Sequence, residues 1–231
     1  MPHLRAILSM LRRLALFDLD NTLLAGDSDH AWGEFLIAKN LVDETRHRAE
    51  NDKFYKQYQD GDLDIHAYVK FSLSPILKLS SEEREKLHKE FMREAVEPMM
   101  LEKAHALVNQ HKSAGDICVI ITATNEFITT PIAKQFQVSK LLATDLEVEG
   151  DYYTGNISGI PCYQSGKLTK LDQWLQLQND ELNIEESIFY SDSINDLDLM
   201  NYVATPIAVD PDIKLRQAAT ANGWDIISLR G

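Results

Sequence analysis

The chain has 231 residues, a formal net charge of −13 and 44% hydrophobic residues. That length allows one well-cored domain, or a core with a modest insertion, and the acidity argues against broad contact with nucleic-acid phosphates. No apolar run approaches the roughly 18 residues of a membrane-spanning helix, and Cys118 and Cys162 are too few for a disulfide framework, which points to a reducing cytoplasm.

Residues 1–13, MPHLRAILSMLRR, contain a short apolar stretch, Ala6 to Leu11. It is shorter than a secretory core segment and has no small-residue cleavage site after it. It reads as a short extension, with Met10 an alternative start. Leu14–Phe17 is an unbroken apolar run ending in Asp18, as in a buried parallel strand. From Asp27 to about Pro98 the texture is helical. Trp32, Phe35 and Leu36, then Phe54, Tyr55 and Tyr58, then Ile65, Tyr68 and Val69, recur at helical spacing. Ser28 and Asp29 suit an N-cap and first turn, and Ser80 with Glu83 forms a capping box for a helix through Met92.

Beyond Pro98, helices and strands alternate. Leu101–Ser113 is helical and closed by Gly115; Ile117–Ile121 is a strand; Phe127–Phe136 is helical; Leu141–Thr144 is a strand. Residues 146–154 suggest a hairpin turning at Gly150-Asp151. A helix over Leu168–Leu177 precedes a strand over Ser187–Ser191, and a short helix starts at Asp196. Ile207–Val209 and Asp225–Ser228 are strands flanking a helix with Pro211 in its first turn. The alternation predicts an α/β protein with a doubly wound parallel sheet. Its Rossmann-like core would comprise 13–26 and 99–231, with 27–98 an inserted all-helical cap.

Ligands in such sheets bind at the carboxyl ends of the strands. There stand Asp18 and Asp20, then Thr122 and Ala123, then Asp192 to Asp196, with Lys167 at the start of the preceding helix. In a plain strand Asp18 and Asp20 would face one side, where they repel unless a cation or shared proton intervenes. Asp192 would complete an oxygen-rich site suited to Mg²⁺. Lys167 and Thr122 would serve a phosphoryl group. Each feature alone has a plain reading as a cap, a turn or a solvated charge; their joint order along the chain does not. Lys170, one turn after Lys167, is the alternative lysine. Cys118 and Cys162 read as packing residues.

Asp18-Leu19-Asp20-Asn21-Thr22, Thr122, Lys167 and Asp192-Ser193-Ile194-Asn195-Asp196 resemble the four signature motifs of the haloacid dehalogenase (HAD) superfamily. The helical insertion after the first motif is similar to the phosphoserine-phosphatase-like branch. GDSDHAW at 26–32 and ITATN at 121–125 resemble a bacterial group within it that includes histidinol-phosphate phosphatases. The resemblance implies a phosphomonoesterase with Asp18 as nucleophile and Asp20 as acid and base. It further implies Mg²⁺ on the Asp18 and Asp192 carboxylates and the Asp20 carbonyl. Asp196, with Asn195, would support this cluster and pair with Lys167, while Thr122, Ala123 and Lys167 hold the phosphate. The substrate would be a small phosphorylated metabolite, with neither nucleic acid nor membrane as partner.

Asp27 and His30, at the start of the cap, are candidates for touching substrate. Between Asp52 and Glu83 the cap has no arginine, only Lys53, Lys56, Lys70 and Lys78. Phosphoserine phosphatases use a cap arginine for the substrate carboxylate, so histidinol phosphate is the favoured substrate. Phosphoserine is the alternative, provided Lys70 or Lys78 reaches the site. A phosphotransferase would share the same aspartyl-phosphate chemistry. A receiver-like module without turnover would have little need of Asp20.

Overall fold

The computed structural model describes residues 12–178 and 182–230, so the reading of residues 1–11 lies outside the described residues. The first strand, β1 (Arg12–Phe17), is followed by four helices: α1 (Ser28–Ala38), α2 (Glu44–Asp60), α3 (Ile65–Leu73) and α4 (Ser81–Phe91). A π-turn and a 3₁₀ turn lead on to α5 (Glu102–Ser113), β2 (Ile117–Asn125), α6 (Glu126–Phe136) and β3 (Lys140–Thr144). The hairpin β4 (Leu146–Glu149) and β5 (Tyr152–Ile157) precedes α7 (Ser165–Gln176) and β6 (Leu182–Ser191). The chain then runs through α8 (Leu197–Tyr202), β7 (Thr205–Val209), α9 (Ile213–Asn222) and β8 (Asp225–Ile227).

Six strands form one sheet in the order β3-β2-β1-β6-β7-β8, every neighbouring pair parallel. The order reverses beside β1, the position at which such sheets open a crevice. The unbroken apolar runs arise because helices cover both faces. Side chains alternate across the sheet. Ala15, Phe17, Cys118 and Ile120 join one core with Val108, Ile128 and Phe136. Leu14, Leu16, Val119 and Ile121 join the other with Leu171, Leu199 and Leu215.

The helical insertion shares the first of these cores. Trp32, Phe35 and Leu36 of α1, Val69 and Leu73 of α3, and Phe91 are buried in it. The Trp32 ring meets Phe91 edge-on at 5.1 Å and Phe127 of α6 at 5.4 Å. Phe54, Ile65 and Tyr68 form a separate small cluster.

Local chemistry explains most element ends. Ser80 and Glu83 make both halves of the capping box, and Gly61 and Gly115 close helices at φ +87° and +86°. Two expectations are corrected. The N-cap of α1 is Asp27, whose carboxylate accepts from His30 N at 2.8 Å, and Ser28 is already helical. Pro211 lies ahead of α9, whose N-cap is Asp212. Strand β6 also begins earlier than its apolar run, at Leu182, and its register with β1 shifts between Arg13 and Ala15.

Candidate active site

β1 ends at Phe17, so the two-residue strand alternation does not govern Asp18 and Asp20. The chain instead turns sharply. Asn21 adopts φ +57°, which asparagine tolerates better than most residues, and its N–H donates to Gly26 O. Each carboxylate then finds its own partners. Lys167 Nζ lies 2.7 Å from Asp18 Oδ1 and 2.8 Å from Asp196 Oδ2, and the lysine is 1% exposed. Gly166 lets this helix start approach closely, since a Cβ there would sit 2.0 Å from Pro161 O.

Asp20 accepts from Ser28 N at 2.6 Å, in the first turn of α1, and from Thr124 Oγ1 at 2.8 Å. A helix N-terminus facing a carboxylate is electrostatically favourable. Asp18 and Asp192 meet at Thr22, whose hydroxyl lies 3.3 Å from Asp18 Oδ2 and 2.9 Å from Asp192 Oδ1. That hydroxyl also accepts from Asp192 N. Ser191 Oγ donates to Asp196 at 2.6 Å.

The other expected residues divide. Thr122 and Ala123 line the same cleft as Asp18 and Asp20, with Thr122 Oγ1 accepting from Thr124 N. Lys170 points elsewhere, to Ala143 O and Asp145. Asn195 turns away from the carboxylates, its amide donating to Tyr58 O on α2 at 2.8 Å. Asp27 and His30 line the cleft, and His30 Nε2 stands 3.0 Å from Asp52.

Electrostatically the cluster is short of positive charge. Burial, then the charge of Asp27, pushes Asp20 up to about 7 against the hydrogen bonds from Ser28 and Thr124. Burial likewise raises Asp18 and Asp192, and lifts Asp196 to about 6. Burial alone would lower Lys167, but Asp18 and Asp196 outweigh it and hold the ammonium charged.

Among the described residues no group of three His, Cys, Asp or Glu side chains is arranged to hold a metal by side chains alone. The donor set is smaller and fits a hard cation. Asp18 and Asp192 converge on one hydroxyl, and Lys167 takes the other Asp18 oxygen. Two carboxylates with water and carbonyl oxygens suit a divalent ion that keeps part of its hydration.

A cleft opens above the carboxylates, with Thr122, Ala123 and Thr124 of β2 on its core side. Phe54, Tyr55 and Tyr58 of α2 and Tyr68 of α3 form aromatic walls beside Asp27 and Asp29, and among the described residues no lysine or arginine lines it. Lys70 and Lys78 are exposed and lie outside that lining. Sequence reasoning gave Thr22, Thr124 and Ser191 no role; it placed Asp29 near the cleft mouth but read it as a first-turn acid of α1. Thr124 and Ser191 lie within two residues of predicted site positions, and that adjacency is the signal that could have raised them.

Residues 15–201 match the haloacid dehalogenase-like hydrolase family, and the chain belongs to it. It is an enzyme of the phosphatase class within that family. The chain is 44% identical over 222 residues to a histidinol-phosphatase of Neisseria meningitidis, covering 95% of this chain and all of that protein. A protein of unknown function from Bordetella pertussis has a crystal structure that superposes with a TM-score of 0.87 at 41% identity. That match covers 95% of this chain and 99% of the other. A substrate-bound phosphoserine phosphatase shares the fold, with a TM-score of 0.69 at 18% identity, covering 95% and 93%. Among the described residues no helix is long and apolar enough to cross a membrane.

Proposed function

We propose that the enzyme hydrolyses the phosphate monoester of a small cationic alcohol, histidinol phosphate foremost, through an aspartyl-phosphate. The observation that carries this is a cleft walled by carboxylates and aromatic rings, with no lysine or arginine among the described residues that line it. The 44% identity to a histidinol-phosphatase supports it. Residues 27–98 act as a cap over a core made of 13–26 and 99–231. The two buried free thiols suit a reducing cytoplasm.

In this reading a carboxylate oxygen of Asp18 attacks phosphorus, and the bond from phosphorus to the ester oxygen breaks. Lys167, bonded to Asp18 and Asp196, fixes the nucleophile and offsets charge on the phosphoryl oxygens. Asp20 donates its proton to the departing alcohol oxygen. Its raised value, about 7, suits a group that must hold a proton and then release it near neutrality. Asp20 next takes a proton from the water that attacks the phosphoaspartate, and the restored Asp18 and inorganic phosphate separate. Thr122 and the Ala123 backbone flank the phosphoryl group from β2. Mg²⁺ held by Asp18, Asp192 and the Asp20 carbonyl would neutralise phosphoryl charge when bound.

Phosphoserine would bring its carboxylate into a cleft without a cationic partner, at a cost of several kcal/mol. A side-by-side assay tests this. Histidinol phosphate is expected to exceed L-phosphoserine in kcat/KM by at least about tenfold, equivalent to roughly 1.4 kcal/mol. A higher value for phosphoserine overturns the substrate assignment.

A further inference from the structure

Two carboxylates in the cleft wall are unused by the chemistry above; Asp27 caps α1 through His30 N, and Asp29 has no such task. Asp29, the second residue of α1, lines the cleft with Asp20 and Asp27 and is 8% exposed. Its neighbours come from α3: Ser72 Oγ donates to its Oδ1 over a long 3.4 Å, and the buried Tyr68 lines the cleft with it. Among the described residues no lysine or arginine answers it, and the one basic side chain lining the cleft, His30, is engaged by Asp52. Burial and the charges of Asp27 and Asp20 raise Asp29 well above the usual carboxylate range.

Tying α1 to α3 does not require a charge, since an amide oxygen would accept the same Ser72 hydroxyl. A carboxylate here is costly unless a ligand brings the countercharge. The neighbouring rings suit such a ligand. Phe54 and Tyr68 meet edge-on at 5.3 Å, and Tyr55 and Tyr58 complete the wall. Aromatic faces attract a cation or a flat charged ring.

We infer that Asp29 is the specificity-determining residue of the cleft: it receives the positive group of the substrate alcohol, an ammonium or an imidazolium, against the aromatic wall. The inference deepens the substrate reading above and rests on it for the reaction. Asp29 selects the alcohol and takes no part in breaking the ester bond.

The experiment compares kcat/KM for histidinol phosphate, phosphoethanolamine and glycerol phosphate in the wild type, Asp29→Asn and Tyr68→Phe. The wild type is expected to prefer both cationic esters over glycerol phosphate. In Asp29→Asn the ratio of cationic to uncharged ester should fall at least tenfold, mainly through KM. In Tyr68→Phe it should fall about threefold, because the cleft loses the polar tip of the ring that lines it with the carboxylate. A folded Asp29→Asn enzyme whose ratio stays within twofold of wild type overturns the inference and leaves the substrate reading intact. If Asp29→Asn does not fold, an unchanged ratio in Tyr68→Phe overturns it. A wild type that prefers phosphoethanolamine but not histidinol phosphate refutes the substrate reading, and a tenfold fall for phosphoethanolamine in Asp29→Asn then still supports Asp29. No cation preference at all overturns both.

Discussion

The sheet carries a polar cluster at each end, and the two are built on opposite terms. At the amino end, Asp116 just before β2 accepts from Arg13 at 2.7 Å and pairs with His111 at 2.6 Å. His111 continues to the Tyr190 hydroxyl at 2.8 Å. Burial pushes Asp116 up, but the bonds from Arg13 and His111 outweigh it and leave it below the usual carboxylate range. At the carboxyl end, Asp18, Asp20, Asp192 and Asp196 face the single ammonium of Lys167, and all four are raised. The amino-end cluster is complete within the chain and holds the fold. The carboxyl-end cluster is incomplete until charge arrives from outside, which is the condition for binding a cation and a phosphoryl group.

The largest effect is expected from the incomplete end. Asp18→Asn should reduce turnover to a few per cent or less, measured by phosphate release, because an amide cannot act as the nucleophile. Its circular dichroism should stay that of the wild type. Retained turnover would remove Asp18 from that role.

Exhaustive chelation should likewise abolish turnover, and Mg²⁺ should restore it. Binding to the folded state alone also raises stability, by about 2.7 kcal/mol at a hundredfold excess over Kd. Mg²⁺ should therefore raise the wild-type Tm and leave that of Asp192→Asn unmoved. An equal shift in both would show that the ion sits elsewhere.

Asp20→Asn should slow turnover by roughly 10²-fold or more. The loss should shrink for aryl phosphates, whose leaving groups need little protonation. A loss independent of leaving-group pKa would sever Asp20 from the proton transfer.

The smallest effect belongs to the complete end and concerns stability alone. Asp116→Asn should cost about 1.5–3 kcal/mol, the range for hydrogen bonds to charged groups, read as a Tm several degrees lower with kcat retained. Because its value is depressed in the folded state, Asp116 contributes fully above the unfolded carboxylate value of about 3.9. That contribution is lost as pH falls through the lower folded value. The gap between wild type and variant should therefore close in acid; a constant gap would contradict the balance drawn here.

Much of the incomplete cluster was legible in the sequence because each member follows an apolar run, and apolar runs locate strand ends. Asp18, Thr122 and Asp192 could be placed on one edge without knowing any contact. What escaped depends on packing. Asp29 looked like an ordinary first-turn acid, and only the approach of α3 shows that it faces a closed wall. Asn195 sits inside a recognisable motif, yet its amide reaches across to α2. Asp27 and Ser28 are both good capping types, so composition could not choose between them. The amino-end cluster was wholly invisible, because Arg13, His111, Asp116 and Tyr190 form no local pattern.

The way α2 is fastened sets how the site can open. The neighbouring α1 is anchored by Trp32, Phe35 and Leu36 in the core that also backs the sheet. By contrast α2 buries only His47, Asn51 and Phe54. Phe54 packs it into the small cluster with Ile65 and Tyr68, and polar tethers do the rest: Asn51 to His30 O, Asn195 to Tyr58 O, and Gln164 to Gly61 O just past its end. Water can replace such bonds at modest net cost, whereas it cannot replace packed aromatic rings. In hydrogen-exchange terms, α2 is expected to open below the free energy of global unfolding and α1 to exchange with the sheet. Exchange at α2 would then report on access to the cleft, since Tyr55 and Tyr58 of that helix line it.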